Sequence, residues 1–269
     1  MADSIKSVVI NGYKNEYFTF SSGKKAMVII PGLNIKNIMQ SKPVIENQYK
    51  VFKDEYTVYV LERKDGISSP YSPFDIASDT IEIFEQLGLK DIYLFGSSLG
   101  GMISFIIASK RPDLIKKAAV AGTSLDFRGN GSGVISMWID KARQRKGSEL
   151  YDEFGKYIYP ESFYNKYKDA LVEIGKTVTE QEFDKFAYIA EGAIDMDITS
   201  CVENIKCPVC AFASDDDKVF GENAIKNIEK AFKDKKDFKS IILSGYGHAL
   251  CDTYPGFPTD LLEFFNSQE

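Results

Sequence analysis

The chain has 269 residues, 44% of them hydrophobic, and a formal net charge of −6 at pH 7 with a pI near 5.1. That length supplies a full core for one large α/β domain, or for such a domain with a modest insertion. The acidic balance argues against nucleic acid as a partner, because phosphate binding needs a surplus of Lys and Arg. The one basic run, Lys141-Ala142-Arg143-Gln144-Arg145-Lys146, reads as a solvated helix face.

The first residues, Met1-Ala2-Asp3-Ser4-Ile5-Lys6-Ser7, carry no apolar core of signal-peptide length, and the longest apolar runs are strand-sized. A cytoplasmic protein with no membrane span is expected. The four cysteines, Cys201, Cys207, Cys210 and Cys251, suit reduced thiols better than a disulfide framework. Cys207-Pro208-Val209-Cys210 matches C-x-x-C, but residues three apart on a buried strand point to opposite faces, so core packing is expected.

In chain order, Val8-Val9-Ile10 and Tyr17-Phe18-Thr19-Phe20 flank Asn11-Gly12, which predicts an antiparallel hairpin with a long loop. Ala26 to Ile30 reads as a strand ending in Pro31-Gly32-Leu33. Next come a strand from Tyr56 to Leu61 and a helix from Pro73 to Leu87 with Ile76, Ile81, Ile83, Phe84 and Leu87 facing inward. A strand from Ile92 to Phe95, a buried helix from Gly100 to Lys110 and a short strand from Ala118 to Ala121 continue the alternation.

Residues 125–201 break that rhythm, with helical patterns over Val134 to Arg145, Gly147 to Tyr157, Ser162 to Ile174 and Glu180 to Ala190. The run Arg128-Gly129-Asn130-Gly131-Ser132-Gly133 is expected as a flexible lead-in. A strand from Cys207 to Ala213, a helix from Glu222 to Phe232, a strand from Ser240 to Leu243 and a helix from Thr259 to Phe265 then close the chain. The fold class is α/β: a mostly parallel sheet covered by helices on both faces. The expected division is a core of 1–124 and 202–269 with a helical cap of 125–201.

Three features carry chemistry. Gly96-Ser97-Ser98-Leu99-Gly100 is a Gly-x-Ser-x-Gly between an apolar strand and a helix, a sharp turn that presents Ser98 beside free backbone N–H groups. A weakly acidic hydroxyl needs a base, and His248 is the only imidazole in the chain, standing in Ser244-Gly245-Tyr246-Gly247-His248. Gly245 and Gly247 allow a tight loop after the strand. The third feature is the acidic run Asp215-Asp216-Asp217, in which Asp217 is the candidate to orient His248. Asp215 and Asp216 are the competing choices within the run, where clustered aspartates are expected as a solvated loop or a helix cap, and Asp126, shortly after the strand ending at Ala121, is the serious rival. Leu33 in the Pro31-Gly32-Leu33-Asn34 turn and Leu99 after the serine are the candidate oxyanion-hole amides.

Through Pro31-Gly32-Leu33, Gly96 to Gly101, Pro208 to Val219 and Gly245 to His248, the chain resembles the capped, serine-nucleophile α/β-hydrolases over essentially its whole length. That pattern has Gly-x-x-Asp at the acid turn, filled here by Ser214-Asp215-Asp216-Asp217, and often His-Gly at the oxyanion turn, where this chain has Pro31-Gly32. The resemblance implies acyl transfer through Ser98, His248 and Asp217, with no metal and no organic cofactor. The expected function is a carboxylesterase-like serine hydrolase acting on a small-molecule acyl substrate. A C–C bond hydrolase, an aminopeptidase, an acyltransferase or a non-catalytic binding module are the alternatives. The residues 125–201 are rich in aromatics (Trp138, Phe154, Tyr157, Tyr159, Phe163, Tyr164, Tyr167, Phe183, Phe186 and Tyr188); most are expected to pack internally and the rest to form an apolar pocket.

Overall fold

The computed structural model describes residues 5–128 and 130–268. The first half runs β1 (Lys6–Ile10), β2 (Tyr13–Phe20), β3 (Lys25–Ile30), α1 (Lys42–Gln48), β4 (Tyr56–Leu61), α2 (Pro73–Gln86), β5 (Ile92–Ser97), α3 (Leu99–Lys110) and β6 (Ile115–Ala121). Four helices follow: α4 (Asn130–Arg143), α5 (Gly147–Ile158), α6 (Glu161–Gly175) and α7 (Glu180–Ala193). The chain then returns through β7 (Val209–Ser214), α8 (Asn223–Ala231), β8 (Phe238–Leu243), α9 (Leu250–Thr253) and α10 (Phe257–Asn266).

The strands form one eight-stranded sheet in the order β1-β2-β4-β3-β5-β6-β7-β8. The pairs β1/β2 and β2/β4 are antiparallel, and every pair from β4 to β8 is parallel. The central strands are apolar at nearly every position because both faces are covered. On β3, Val28 and Ile30 join the core under α2 and α3, while Met27 and Ile29 join the opposite core with Ile45 of α1 and Phe257, Leu261 and Phe265 of α10. Helix α2 starts at a reciprocal cap between Ser72 and Asp75 and buries Ile76, Ile83 and Phe84.

The four cysteines are buried and free; Cys207 belongs to one face of the sheet and Cys210 to the other, as residues three apart should. No helix among the described residues is long and apolar enough to cross a membrane.

Several expectations are corrected. The hairpin loop is not long: Ile10 pairs directly with Tyr13, and Asn11 and Gly12 take φ of 50° and 82°, the signature of a two-residue primed turn. Strand β2 therefore starts four residues earlier than its apolar run, since Tyr13-Lys14-Asn15-Glu16 is mostly polar, with Tyr13 and Lys14 exposed and Asn15 buried. Strand β6 likewise begins at Ile115; Lys116 and Lys117 disguise it, although Lys117 is buried with its Nζ donating to Phe264 O and Ser267 O. Helix α1 was not foreseen. The glycine-rich lead-in is helical from Asn130 on, where the Asn130 amide donates to the carbonyls of Lys218 and Val219. Gly129 of that run, and Met1 to Ser4 of the N-terminal stretch, lie outside the described residues.

Candidate active site

Ser98 sits between β5 and α3 as the N-cap residue, with φ 53° and ψ −124°. A non-glycine residue held there is strained, and its neighbours over-determine it. The Ser98 amide donates to Ala121 O at 2.8 Å, and the Thr123 hydroxyl donates to Ser98 O at 2.7 Å. A Cβ on Gly96 would collide with Gly100 O, and one on Gly100 would collide with the Ile30 carbonyl of β3. The strand, the turn and the helix close on one another at distances only glycine permits.

His248 follows β8 in a loop whose Gly245 and Gly247 take φ of 78° and 67°. Its Nε2 lies 2.8 Å from Ser98 Oγ and its Nδ1 lies 2.9 Å from Asp217 Oδ2. Both partners of the second contact are buried, with side chains 6% and 8% exposed. The other Asp217 oxygen, Oδ1, accepts the amides of Val219 at 2.8 Å and Phe220 at 3.0 Å. Burial works against ionising Asp217, but the His248 ring and these amides outweigh it and hold the carboxyl below its ordinary range. A carboxylate kept ionised on Nδ1 favours the tautomer in which Nε2 is free to accept the serine proton.

The structure thus brings Ser98, His248 and Asp217 together and leaves Asp126 out. Asp126 bonds the Arg128 amide at 2.9 Å and the Arg128 guanidinium at 2.8 Å, and its backbone forms an isolated bridge with Asp197. Asp215 is exposed, as a solvated loop position should be, but both it and Asp216 also bond the histidine loop. Asp215 accepts the Ser244 hydroxyl at 2.7 Å and the Gly245 amide at 3.0 Å, and those bonds hold it below the usual carboxylate range. Asp216 accepts the Ser214 hydroxyl at 2.6 Å and the Gly247 amide at 2.7 Å. Consecutive aspartates on one turn therefore tie down the loop that carries His248.

Leu33 and Leu99 both line the cavity at Ser98. Leu99 is the first residue of α3, where backbone N–H groups lack intrahelical acceptors. The turn before Leu33 lies against the serine: a Cβ on Gly32 would meet Ser98 Cβ at 3.0 Å. Sequence reasoning missed what holds that turn. Buried Arg63, just after β4, donates to Pro31 O and, at 2.7 Å, to Asn34 Oδ1. Its neighbour Glu62 is also buried and accepts the Ile38 amide at 2.7 Å and the Arg63 amide at 2.7 Å. The available signal was an acid-base pair at the C-terminal end of a parallel strand, where open α/β sheets place their sites.

The cavity has a volume of about 340 Å³ and lies between the C-terminal ends of the strands and helices α4 and α5. Of the aromatics expected there, Trp138, Phe154 and Tyr159 line it, joined by Tyr151. Phe183 and Phe186 are buried in the core instead, while Phe163 packs at a tilt on Tyr159 and Tyr167 at a tilt on Phe163. The insertion also braces the histidine loop, since Ala249 N donates to Ile158 O at 2.8 Å. Among the described residues no group of three or more His, Cys, Asp or Glu side chains is arranged to hold a metal ion.

The family described as alpha/beta hydrolase fold matches residues 27–148 of this chain. Serine hydrolase BPHL of Mus musculus is 26% identical over 151 residues, 51% of this chain and 51% of that protein. The chain spans about half the length of the curated relatives it matches. Among solved structures, MGS-M2, an alpha/beta hydrolase enzyme from a Medee basin deep-sea metagenome library, superposes with a TM-score of 0.86 at 20% identity, covering 98% of each chain. The enol-lactonase from Burkholderia xenovorans LB400 superposes with a TM-score of 0.83 at 15% identity, covering 97% of this chain and 100% of its own. The chain has the α/β-hydrolase fold, and its residues 27–148 are similar to the family described as alpha/beta hydrolase fold.

Proposed function

We propose that the protein is a serine hydrolase that cleaves small carboxylic esters by acyl transfer to water. The observation that carries this is the continuous chain of contacts from Ser98 Oγ to His248 Nε2 at 2.8 Å and from His248 Nδ1 to Asp217 at 2.9 Å, opening on a cavity of small-molecule size. The serine hydrolase description of the relative that matches about half of the chain points the same way.

In this reading Ser98 Oγ attacks the ester carbonyl as His248 Nε2 takes its proton, and Asp217 stabilises the imidazolium. The Leu33 and Leu99 amides receive the developing oxyanion. His248 returns the proton to the departing alcohol; water then attacks the acyl-serine with His248 as base, releasing acid and restoring Ser98. Residues 125–201 serve as a cap whose α4 and α5 side chains select the acyl or alcohol group, while 1–124 and 202–269 form the catalytic core. Carboxylic ester cleavage is preferred to the other acyl chemistries because the cavity at Ser98 is mostly apolar and of small-molecule volume.

The test is a panel of esters, thioesters, amides and diketones of graded size, assayed with wild type and His248→Ala. The reading expects short and aryl esters to give the highest kcat/KM, with turnover lost in the variant. Preferred cleavage of a diketone or an amide would move the reaction to another class.

A further inference from the structure

Four positions after His248, Asp252 in α9 lines the same cavity as Ser98. The residue is solvent-exposed although protein packs densely around it, and it lines the cavity. The walls nearby are neutral. Gln48 lies beside the carboxyl and also donates to Cys251 O at 2.6 Å. Tyr49, Tyr159 and Cys251 all have their ionisation suppressed by burial.

The only Lys or Arg among the described cavity-lining residues is Lys36, and its charge is engaged elsewhere. Its Nζ donates to Thr177 O and Thr177 Oγ1, both at 3.0 Å, and lies 3.7 Å from Glu182. No ion pair joins Asp252 to a cation among the described residues. Burial pushes its acid up to about 6, and the Gln48 amide relieves this only in part, so the carboxyl is mostly ionised at neutral pH and above.

A carboxylate with no cationic partner on the wall of a mostly apolar cavity would attract a cationic group on the ligand. We propose that Asp252 is a specificity-determining residue that selects esters carrying an ammonium group, which it pairs with inside the cavity shared with Ser98. The inference rests on the serine hydrolase reading for the reaction, but the binding preference itself does not require turnover. The pairing leaves the acyl-transfer steps unchanged and acts on which ester is held.

Two measurements test it. The first compares kcat and KM for the p-nitrophenyl ester of γ-trimethylammoniobutyrate with those for its uncharged tert-butyl isostere, in wild type and Asp252→Asn. Wild type should favour the cationic ester about tenfold or more, through KM, and the ratio should collapse in the variant. The wild-type ratio should also grow as pH rises from about 5 to about 7 with ionisation of Asp252, and stay flat in the variant. Of the other groups facing the carboxyl, Gln48 does not titrate, the two tyrosines and Cys251 stay neutral in that range, and His248 is common to both proteins, which the variant's profile subtracts.

The second measurement uses Ser98→Ala and follows emission of Trp138, the single tryptophan and a cavity-lining residue, on titration with choline or its tert-butyl isostere. Tighter choline binding that Asp252→Asn abolishes supports the proposal. Equal affinity for the two ligands overturns it. Turnover of both esters without a cationic preference overturns the Asp252 assignment and leaves the hydrolase reading intact. Preferential choline binding without turnover of either ester does the reverse.

Discussion

The two halves of the site are held by opposite physics. The serine turn is fixed by sterics: Gly96 and Gly100 pack backbone against backbone, and Leu99 to Ala108 of α3 are all buried behind them. The histidine loop is fixed by polar tethers from a turn about thirty residues earlier. Asp215 holds Ser244 and Gly245, Asp216 holds Gly247, and Asp217 holds His248 itself. Close packing tolerates no added atom but is indifferent to pH, whereas carboxylate tethers tolerate isosteric change and depend on charge. Damage to the first region should therefore appear as lost folding, and damage to the second as lost rate in a folded protein.

The largest expected effect is on the steric side. Gly100→Ala should give no stably folded protein, because its methyl group meets the Ile30 carbonyl at the C-terminal end of the interior strand β3, where paired backbone cannot give way. Thermal unfolding checks this; a cooperative transition close to that of wild type would break the contrast.

On the polar side, Asp217→Asn should keep the fold and cut kcat by about 10⁴, because an amide favours the wrong imidazole tautomer. Asp126→Asn should cost little. The same substitution has a pH signature. Since the Asp217 carboxyl sits below its ordinary value, its contribution to stability is complete above the unfolded pKa of about 3.9 and is lost as pH falls through the folded value. The Tm gap between wild type and Asp217→Asn should therefore narrow as the medium is acidified below about pH 4, and a gap that widens would contradict the assigned sign.

Smaller again, Asp216→Ala should lower kcat by about tenfold with Tm nearly unchanged, since each tether contributes roughly one hydrogen bond to a charged group. Asp215→Ala, at the more exposed position, should cost less still. Equal, negligible effects on kcat from both would show that the loop is held by the glycine backbone and by Ile158 instead.

The same contrast explains what the sequence made legible. Sterically fixed features leave residue types at fixed local offsets, so the serine turn, the parallel strands and helices α2 and α3 could be read from glycine spacing and apolar periodicity. His248 was legible because no other imidazole exists. Tethers and clamps depend on which side chains meet across the fold, and no local pattern encodes that. Three adjacent aspartates look alike in sequence; only the direction of each side chain separates the one on His248 from the two on its loop. Arg63 lies about thirty residues from the turn it grips, and Asp252 gains its meaning from Gln48 and Tyr49, which belong to a part of the chain where no helix was foreseen.

In the proposed reaction one hydroxyl, Ser98, aligned by one imidazole, His248, does the chemistry. A fluorophosphonate probe with mapping of the modified residue tests it most directly. Wild type should be labelled on Ser98 alone; labelling should persist in Ser97→Ala and vanish in Ser98→Ala. A label found on Ser97, or one that survives the loss of Ser98, would contradict the account.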